Sequence, residues 1–173
     1  MVSKGLIGSG VDGTLLDYNY SDGAPTINMR LIQEWRNKAV ILITNQGGLA
    51  LGVQGLKRED GRPYPTPELF LRRLDALVKV LRSNDIAVPL VYVACHHDRA
   101  STTDIIKSCT MVMAGLKKLG FNPSYVYANR PYRKPNGAML AHAGISVYYG
   151  DSDEDQQAAK NACVEFVRVS RFW

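Results

Sequence analysis

The 173-residue sequence has few cysteines and no long apolar run. No apolar stretch approaches the roughly 20 residues that a membrane-spanning helix needs, and the first residues lack a secretory pattern. Three cysteines, Cys95, Cys109 and Cys163, are too few and too scattered for a disulfide framework. Cys109 and Cys163 fall on apolar faces of predicted helices, which predicts buried thiols. We therefore expect a soluble cytoplasmic protein.

Composition and charge set the broad class of the protein. A hydrophobic content of 46% and a charged content of 21% are typical of a globular domain and exclude a disordered chain. The length suits one compact domain over residues 1–173. The net charge of +5 favours polyanionic partners, although modest basicity also serves solubility alone.

Short apolar runs alternate with helical patterns along the chain. We predict strands over residues 6–11, 39–43, 89–95, 125–128, 146–149 and 166–169. Helices are predicted after the capping residues Thr26, Thr66 and Ser101, over residues 136–143, and around residues 158–162, with a long loop over 47–64. This alternation predicts an α/β fold, a Rossmann-like parallel sheet with helices on both faces.

Polar side chains follow several of these predicted strands. Asp12, Thr44, the corner at residues 95–97 and Asp151 each come at the end of a strand. In open parallel sheets, ligands bind outside the carboxyl ends of the strands, so we expect these groups at one rim. Taken singly, each has a structural explanation, such as an ordinary turn at Asp12-Gly13.

Together these residue types suit phosphoryl transfer. Asp12 could act as general acid and base, because a carboxyl at a strand end can exchange a proton with a leaving oxygen. Thr44 and the backbone N–H of Asn45 could hold phosphate oxygens, and Lys134 could neutralise their charge. The carboxylates of Asp151 and Asp155 are oxygen ligands suited to Mg²⁺. As a structural alternative, the acidic cluster over 151–155 could be an exposed helix start.

The order of these segments resembles the haloacid dehalogenase (HAD) superfamily of aspartate-nucleophile phosphatases. Residues 11–14 resemble its first motif, Thr44 the second, Lys134 the third, and Gly150-Asp151 with Asp155 the fourth. The resemblance implies that Mg²⁺ is held by the main-chain carbonyl of Asp12 and by Asp151. It also implies an attacking aspartate at position 10, where this chain has Gly10.

Glycine at position 10 removes both the nucleophile and one metal ligand that the resemblance implies. We therefore expect the chain to bind a phosphate ester but scarcely to turn it over. Two explanations remain open: a nucleophile-deficient variant of a working enzyme, or a naturally inactive relative. The other segments look intact, which favours the first.

Two segments, 43–48 and 132–139, resemble the branch of polynucleotide kinase 3′-phosphatases, histidinol-phosphate phosphatases and heptose-bisphosphate phosphatases. That branch implies no large cap domain, and residues 17–25 would form a small flap in which Tyr18 and Tyr20 could stack on a base or sugar. A stretch at about 98–130 looks like a family-atypical insertion. Cys95-His96-His97 resembles half of a zinc loop, but residues 128–131 add no cysteine, so we predict no zinc.

Substrate contacts are predicted at Asn45, Gln46, Arg133, His96 and His97, with a structural role as the alternative for the two histidines. Basic residues near the expected rim favour a nucleic-acid 3′-phosphate end as the substrate; they are Lys57, Arg58, Arg62, Arg99, Arg130 and Arg133. Two alternatives remain: a phosphatase for a small sugar or histidinol phosphate, and a non-catalytic module that binds nucleic acid.

Overall fold

A single parallel sheet of six strands organises the chain, which a computed structural model describes over residues 5–20 and 24–170. The strands lie in the order β4-β3-β2-β1-β5-β6. Their bounds are β1 Ile7–Ser9, β2 Val40–Asn45, β3 Val91–Ala94, β4 Tyr125–Tyr127, β5 Val147–Gly150 and β6 Glu165–Arg168. The predicted α/β fold with a Rossmann-like parallel sheet is confirmed.

Helices cover both faces of this sheet. They are α1 Met29–Glu34, α2 Gly48–Val53, α3 Pro67–Ser83, α4 Thr102–Lys118, α5 Ala138–Ala143 and α6 Asp153–Asn161, with a 3₁₀ helix at Arg130–Tyr132. Side chains alternate between the faces along β2, because successive residues of a strand point to opposite sides. Val40 and Leu42 pack with α1 to α4, whereas Ile41 and Ile43 pack with α5 and α6.

Side-chain caps mark where four helices begin, among them α3, α4 and α6. The hydroxyl of Thr66 accepts from the N–H of Leu69 at the start of α3, and Ser101 caps α4 in the same way, as predicted. A third cap, at Ser152, begins α6 with a reciprocal bond to Asp155. Such caps pair N–H groups that a helix start leaves without intrahelical partners. The α6 cap also fixes Asp155 beside the end of β5.

Three local predictions are wrong. The first helix is capped by Asn28 instead of Thr26, since the chain stays extended through the bridge between Leu16 and Ile27. The predicted loop over 47–64 contains α2, which buries Leu49, Ala50 and Leu51 in the core. Cys163 is exposed, because it follows the end of α6 in a left-handed turn with φ of 56°. Cys109 is buried as predicted.

The stretch at 98–130 is part of the sheet architecture. It supplies α4 and the edge strand β4, which pairs with β3 in parallel. Of the predicted flap at 17–25, residues 21–23 lie outside the described residues. Within the ranges 5–20 and 24–170, no helix is both long and apolar enough to cross a bilayer.

Candidate active site

The carboxyl ends of β1, β2 and β5 surround a cavity of about 190 Å³. Thr44, Lys134 and Asp151 all line it, together with Asp12. These residues are far apart in sequence and meet because parallel strands end at one edge of the sheet. The remaining lining residues are Val11, Tyr18, Asn45, Ser152, Glu154 and Asp155. The structure thus brings together Asp12, Thr44 and Asp151 as expected, whereas the corner at residues 95–97 does not line this cavity.

Lys134 is buried at the floor of this cavity in a network of polar atoms. Its Nζ donates to Asp155 Oδ1 at 2.5 Å, to the hydroxyl of Tyr148 at 2.7 Å and to the carbonyl of Ile43 at 3.4 Å. Burial alone would raise the pKa of Asp155, but the Lys134 ammonium and hydrogen bonds from Ser152 hold it below its usual value. These hydrogen bonds hold the lysine at the point where a phosphate would need a cation.

Asp155 is engaged through both carboxylate oxygens. Oδ1 accepts from Lys134 and Tyr148, while Oδ2 accepts from the N–H groups of Asp151 and Ser152 and from the Ser152 hydroxyl. This geometry favours a role in holding Lys134. The role of Asp155 as a magnesium ligand stays a prediction. Over the described ranges, no three His, Cys, Asp or Glu side chains cluster as a ready metal site.

Two side chains tie the Lys134 segment to neighbouring strand ends. The Asn45 side chain donates to the Lys134 carbonyl and accepts from the Lys134 N–H, both at 3.0 Å. Arg133 donates to the carbonyl of His96 at 2.7 Å. Gly47 lies against this contact, where a Cβ would overlap the Arg133 guanidinium and the His96 carbonyl. Asn45 and Arg133, predicted substrate contacts, therefore hold the backbone in this structure.

Asp12 lies among polar side chains from three elements. Its Oδ2 accepts from the Tyr20 hydroxyl and, at 2.9 Å, from the Gln46 amide, which also donates to Thr44 at 3.0 Å. The Arg73 guanidinium is 3.7 Å from Oδ1. Burial raises the pKa of Asp12 despite these partners, which each lower it. A raised pKa keeps a carboxyl protonated to higher pH, which suits a general acid.

Arg73 of α3 holds residues 17–20, the first part of the predicted flap, beside the site. This buried guanidinium donates to the carbonyls of Asp17 and Asn19, and it stacks on the Tyr20 ring at 4.2 Å. Tyr18 donates to Asp151 Oδ2 at 2.6 Å. The two flap tyrosines thus contact the two candidate carboxylates by their hydroxyls.

Sequence reasoning missed two residues of this site. Arg73 has a signal in the sequence, because it lies three residues after Phe70 and four before Leu77, on the apolar stripe of α3. Tyr148 has a weaker signal in the sequence. Its position in a central strand predicts that the side chain is buried, but it does not predict the hydrogen bond between the hydroxyl and Lys134.

The space beside Gly10 is lined by hydroxyl groups. A Cβ built at Gly10 would lie 3.0 Å from Thr14 Oγ1 and 3.4 Å from the Tyr148 hydroxyl. Thr14 Oγ1 is buried and has no hydrogen-bond partner within the described part of the chain. Gly10 has no positive φ, so an L-residue fits its backbone after a shift of a few tenths of an ångström by Thr14.

His96 and His97 lie away from this cavity. Both line a second, larger cleft that also includes Arg130 and Tyr132. Arg99 donates through its backbone N–H to His97, and His96 pairs with Asp98 at 3.0 Å. The two histidines thus border a neighbouring surface instead of the cavity that Lys134 lines.

The fold is shared with a solved phosphatase structure. The D,D-heptose 1,7-bisphosphate phosphatase from B. bronchiseptica, complexed with magnesium and phosphate, matches 94% of this chain and 78% of its own chain with a TM-score of 0.56. The chain therefore shares the fold of that phosphatase. Sequence identity is 17%, so the similarity establishes the fold and no more. Comparisons with protein-family models and with curated proteins gave no match.

Proposed function

We propose that this chain carries the phosphomonoester site of an aspartate-nucleophile phosphatase, with Gly10 at the nucleophile position. The observation that supports it best is the orphaned hydroxyl of Thr14 beside Gly10. A buried hydroxyl without a partner costs free energy, and a carboxylate at position 10 would accept from it. An unpaired Thr14 hydroxyl is what this proposal expects when glycine stands in place of an acceptor.

The surrounding groups match the needs of a bound phosphoryl group. Lys134 supplies a fixed positive charge, and Thr44 supplies a hydroxyl at the end of β2. Catalysis of phosphoryl transfer rests mainly on positioning and on neutralising charge. Two residues hold Lys134 in place: the Asn45 side chain bonds its backbone, and the Asp155 carboxylate pairs with its ammonium group.

Magnesium fits the donors at this site. Mg²⁺ is usually bound by one or two carboxylates together with substrate phosphates and several waters. Asp151 would supply a carboxylate and Asp12 a main-chain oxygen, and an aspartate at position 10 would add a second carboxylate. When bound, Mg²⁺ would neutralise negative charge on the phosphoryl oxygens. The similar heptose-bisphosphate phosphatase holds both magnesium and phosphate, which supports this assignment.

With aspartate at position 10, the residues present would carry a two-step hydrolysis. A carboxylate oxygen of that aspartate forms a bond to phosphorus while the bond to the ester oxygen breaks, and Asp12 gives its proton to the leaving oxygen. Asp12 then takes a proton from water, whose oxygen attacks phosphorus and releases the aspartate and inorganic phosphate. With Gly10 the first step has no nucleophile, so the chain binds without turnover.

A nucleic-acid 3′-phosphate end is the substrate that we favour, on the basis of the net charge of +5 and the second cleft beside the site. A small-molecule phosphate is the second candidate, since the similar structure is named for a heptose bisphosphate. A non-catalytic module that holds nucleic acid is the third, and the absent nucleophile at Gly10 favours it.

A screen of phosphate release by the Gly10→Asp protein separates these candidates. We expect Mg²⁺-dependent release from a 3′-phosphorylated oligonucleotide, faster than from sugar or histidinol phosphates. Gly10→Asn is the matched control, because it adds the same bulk without a carboxylate. A folded Gly10→Asp protein that hydrolyses none of these esters, yet binds the oligonucleotide without Mg²⁺, would support the binding module instead.

A further inference from the structure

A second cleft, of about 760 Å³, adjoins the candidate active site. It opens between the residues that follow β3 and the 3₁₀ helix at Arg130–Tyr132, against the first turns of α4. Tyr132 lines this cleft, whereas Lys134 lines the phosphate cavity. Two residues of extended chain span at most about 7 Å, so the two sites are neighbours.

The cleft presents apolar and aromatic surface to solvent. Ile106 and Tyr132 are exposed by 53% and 36%, although large apolar side chains are usually covered. Tyr132 stacks on Tyr127 with ring centroids 4.1 Å apart and an angle of 6° between the rings. Tyr127 therefore covers one face of the Tyr132 ring, and Tyr132 itself lines the cleft.

Polar groups border this apolar surface. Asn129 and Asn136 supply amides, which offer both donors and acceptors to the edge of a heterocycle. Arg130 is exposed and lies 3.9 Å from Asp98, which also pairs with His96. A base-sized ring could therefore rest on Tyr132 while its edge meets an amide.

We propose that this cleft binds the planar base of a nucleotide whose phosphate occupies the Lys134 cavity. The inference rests on the proposed function and narrows its substrate to a base-bearing phosphomonoester. Bases stack on aromatic side chains whatever their sequence, because every base has a flat π-face. The exposed ring of Tyr132 and the apolar side chains of Ile105 and Ile106 give the cleft a surface that suits a flat base.

Binding measurements on the native chain test the cleft directly. The probes are a nucleoside 3′-monophosphate, a 3′-phosphorylated tetranucleotide and an abasic deoxyribose 3′-phosphate, each titrated calorimetrically with Mg²⁺. We expect the base to tighten binding about tenfold relative to the abasic probe. Tyr132→Ala removes that advantage and Tyr132→Phe keeps it, while both variants bind the abasic probe like the native chain.

Two further measurements identify the ligand and provide a second variant in case Tyr132→Ala does not fold. A tetranucleotide that binds more tightly than the mononucleotide supports a polynucleotide end, and equal binding supports a free nucleotide. Ile106→Glu, at an exposed position, places a carboxylate in the cleft and should weaken only the base-bearing probes.

Equal binding of abasic and base-bearing probes by the native chain would overturn the proposal, as would equal losses in Tyr132→Ala and Tyr132→Phe. A nucleoside without phosphate separates the two inferences by NMR of the Ile106 methyl groups. If no phosphate probe binds but the nucleoside shifts those signals, the result supports base binding in the cleft and contradicts phosphate binding in the Lys134 cavity. If the nucleoside shifts nothing at millimolar concentration, the cleft proposal is wrong.

Discussion

The buried pair between Lys134 and Asp155 gives a stability prediction that the structure makes quantitative. The two side chains are exposed by 7% and 5%, and their charged atoms are 2.5 Å apart. Removing one partner of such a pair leaves an unpaired buried charge and costs about 3–5 kcal/mol. Asp155→Asn keeps the side-chain shape and an acceptor oxygen for the α6 cap, so the change in stability reports the loss of the negative charge alone. We expect it to lower the free energy of unfolding by that amount at pH 7.

The effect should depend on pH with a definite sign. The pKa of Asp155 is lowered in the folded state from an ordinary value of 3.8. Its ionised form therefore contributes stability that is fully present above 3.8 and is lost as the pH falls through the lower folded value. The difference between native and Asp155→Asn proteins should shrink in the same acid range.

Urea denaturation of four proteins completes this test. Lys134→Met and the double variant close a mutant cycle, in which the double variant should cost less than the two single changes together. The matched control is the surface pair of Lys79 and Asp75, where Asp75→Asn should cost about 0.3–0.5 kcal/mol. A cost for Asp155→Asn no larger than that control would refute the assignment of a buried, charged pair.

Two further predictions concern Asp12 and the flap. The pKa of Asp12 is raised by burial, so its protonated form stabilises the fold below pH 3.8 and this contribution is lost as the pH rises through the folded pKa. Urea denaturation across pH should therefore show that Asp12→Asn gains stability relative to the native chain as the pH increases. Arg73→Met should cost about 3 kcal/mol and expose the amides of residues 17–20 to faster hydrogen exchange, because it leaves the carbonyls of Asp17 and Asn19 without their donor. Unchanged exchange there would contradict the role given to Arg73.

Strand ends were predictable because their signal is local. Apolar runs of strand length, each followed by a polar residue, placed Asp12, Thr44 and Asp151 at one rim before any tertiary contact was considered. A parallel sheet then requires these ends to meet. Lys134 follows no predicted strand, and its place at the rim came from the resemblance to a family.

Helix α2 shows where local signals fail. Gly48 and Gly52 lower helix propensity, so the segment reads as a loop, yet tertiary burial of Leu49 and Leu51 overrides that preference. Gly52 is needed because a Cβ there would overlap the Pro65 carbonyl of a segment that crosses the helix. Helix propensity does not reveal that crossing, because it depends on how the later segment packs against the helix.

The partners of the charged site residues were also out of reach. Asp155 has the residue type of a magnesium ligand, and only three-dimensional contacts show both of its oxygens engaged by Lys134 and the α6 cap. Similarly, Tyr18 and Tyr20 suggested stacking surfaces, whereas the structure has their hydroxyls on Asp151 and Asp12. Residue type predicts which chemistry a side chain can perform, and packing decides which partner it meets.

Exchange of oxygen between inorganic phosphate and water tests the central claim most directly, because it requires no knowledge of the natural ester. If Gly10 stands where an attacking carboxylate belongs, the Gly10→Asp protein with Mg²⁺ should remove heavy-oxygen label from phosphate as the acyl phosphate forms and is hydrolysed. The native chain and Gly10→Asn should exchange no label, since neither supplies the attacking oxygen. A folded Gly10→Asp protein whose exchange rate equals that of the native chain would contradict the account.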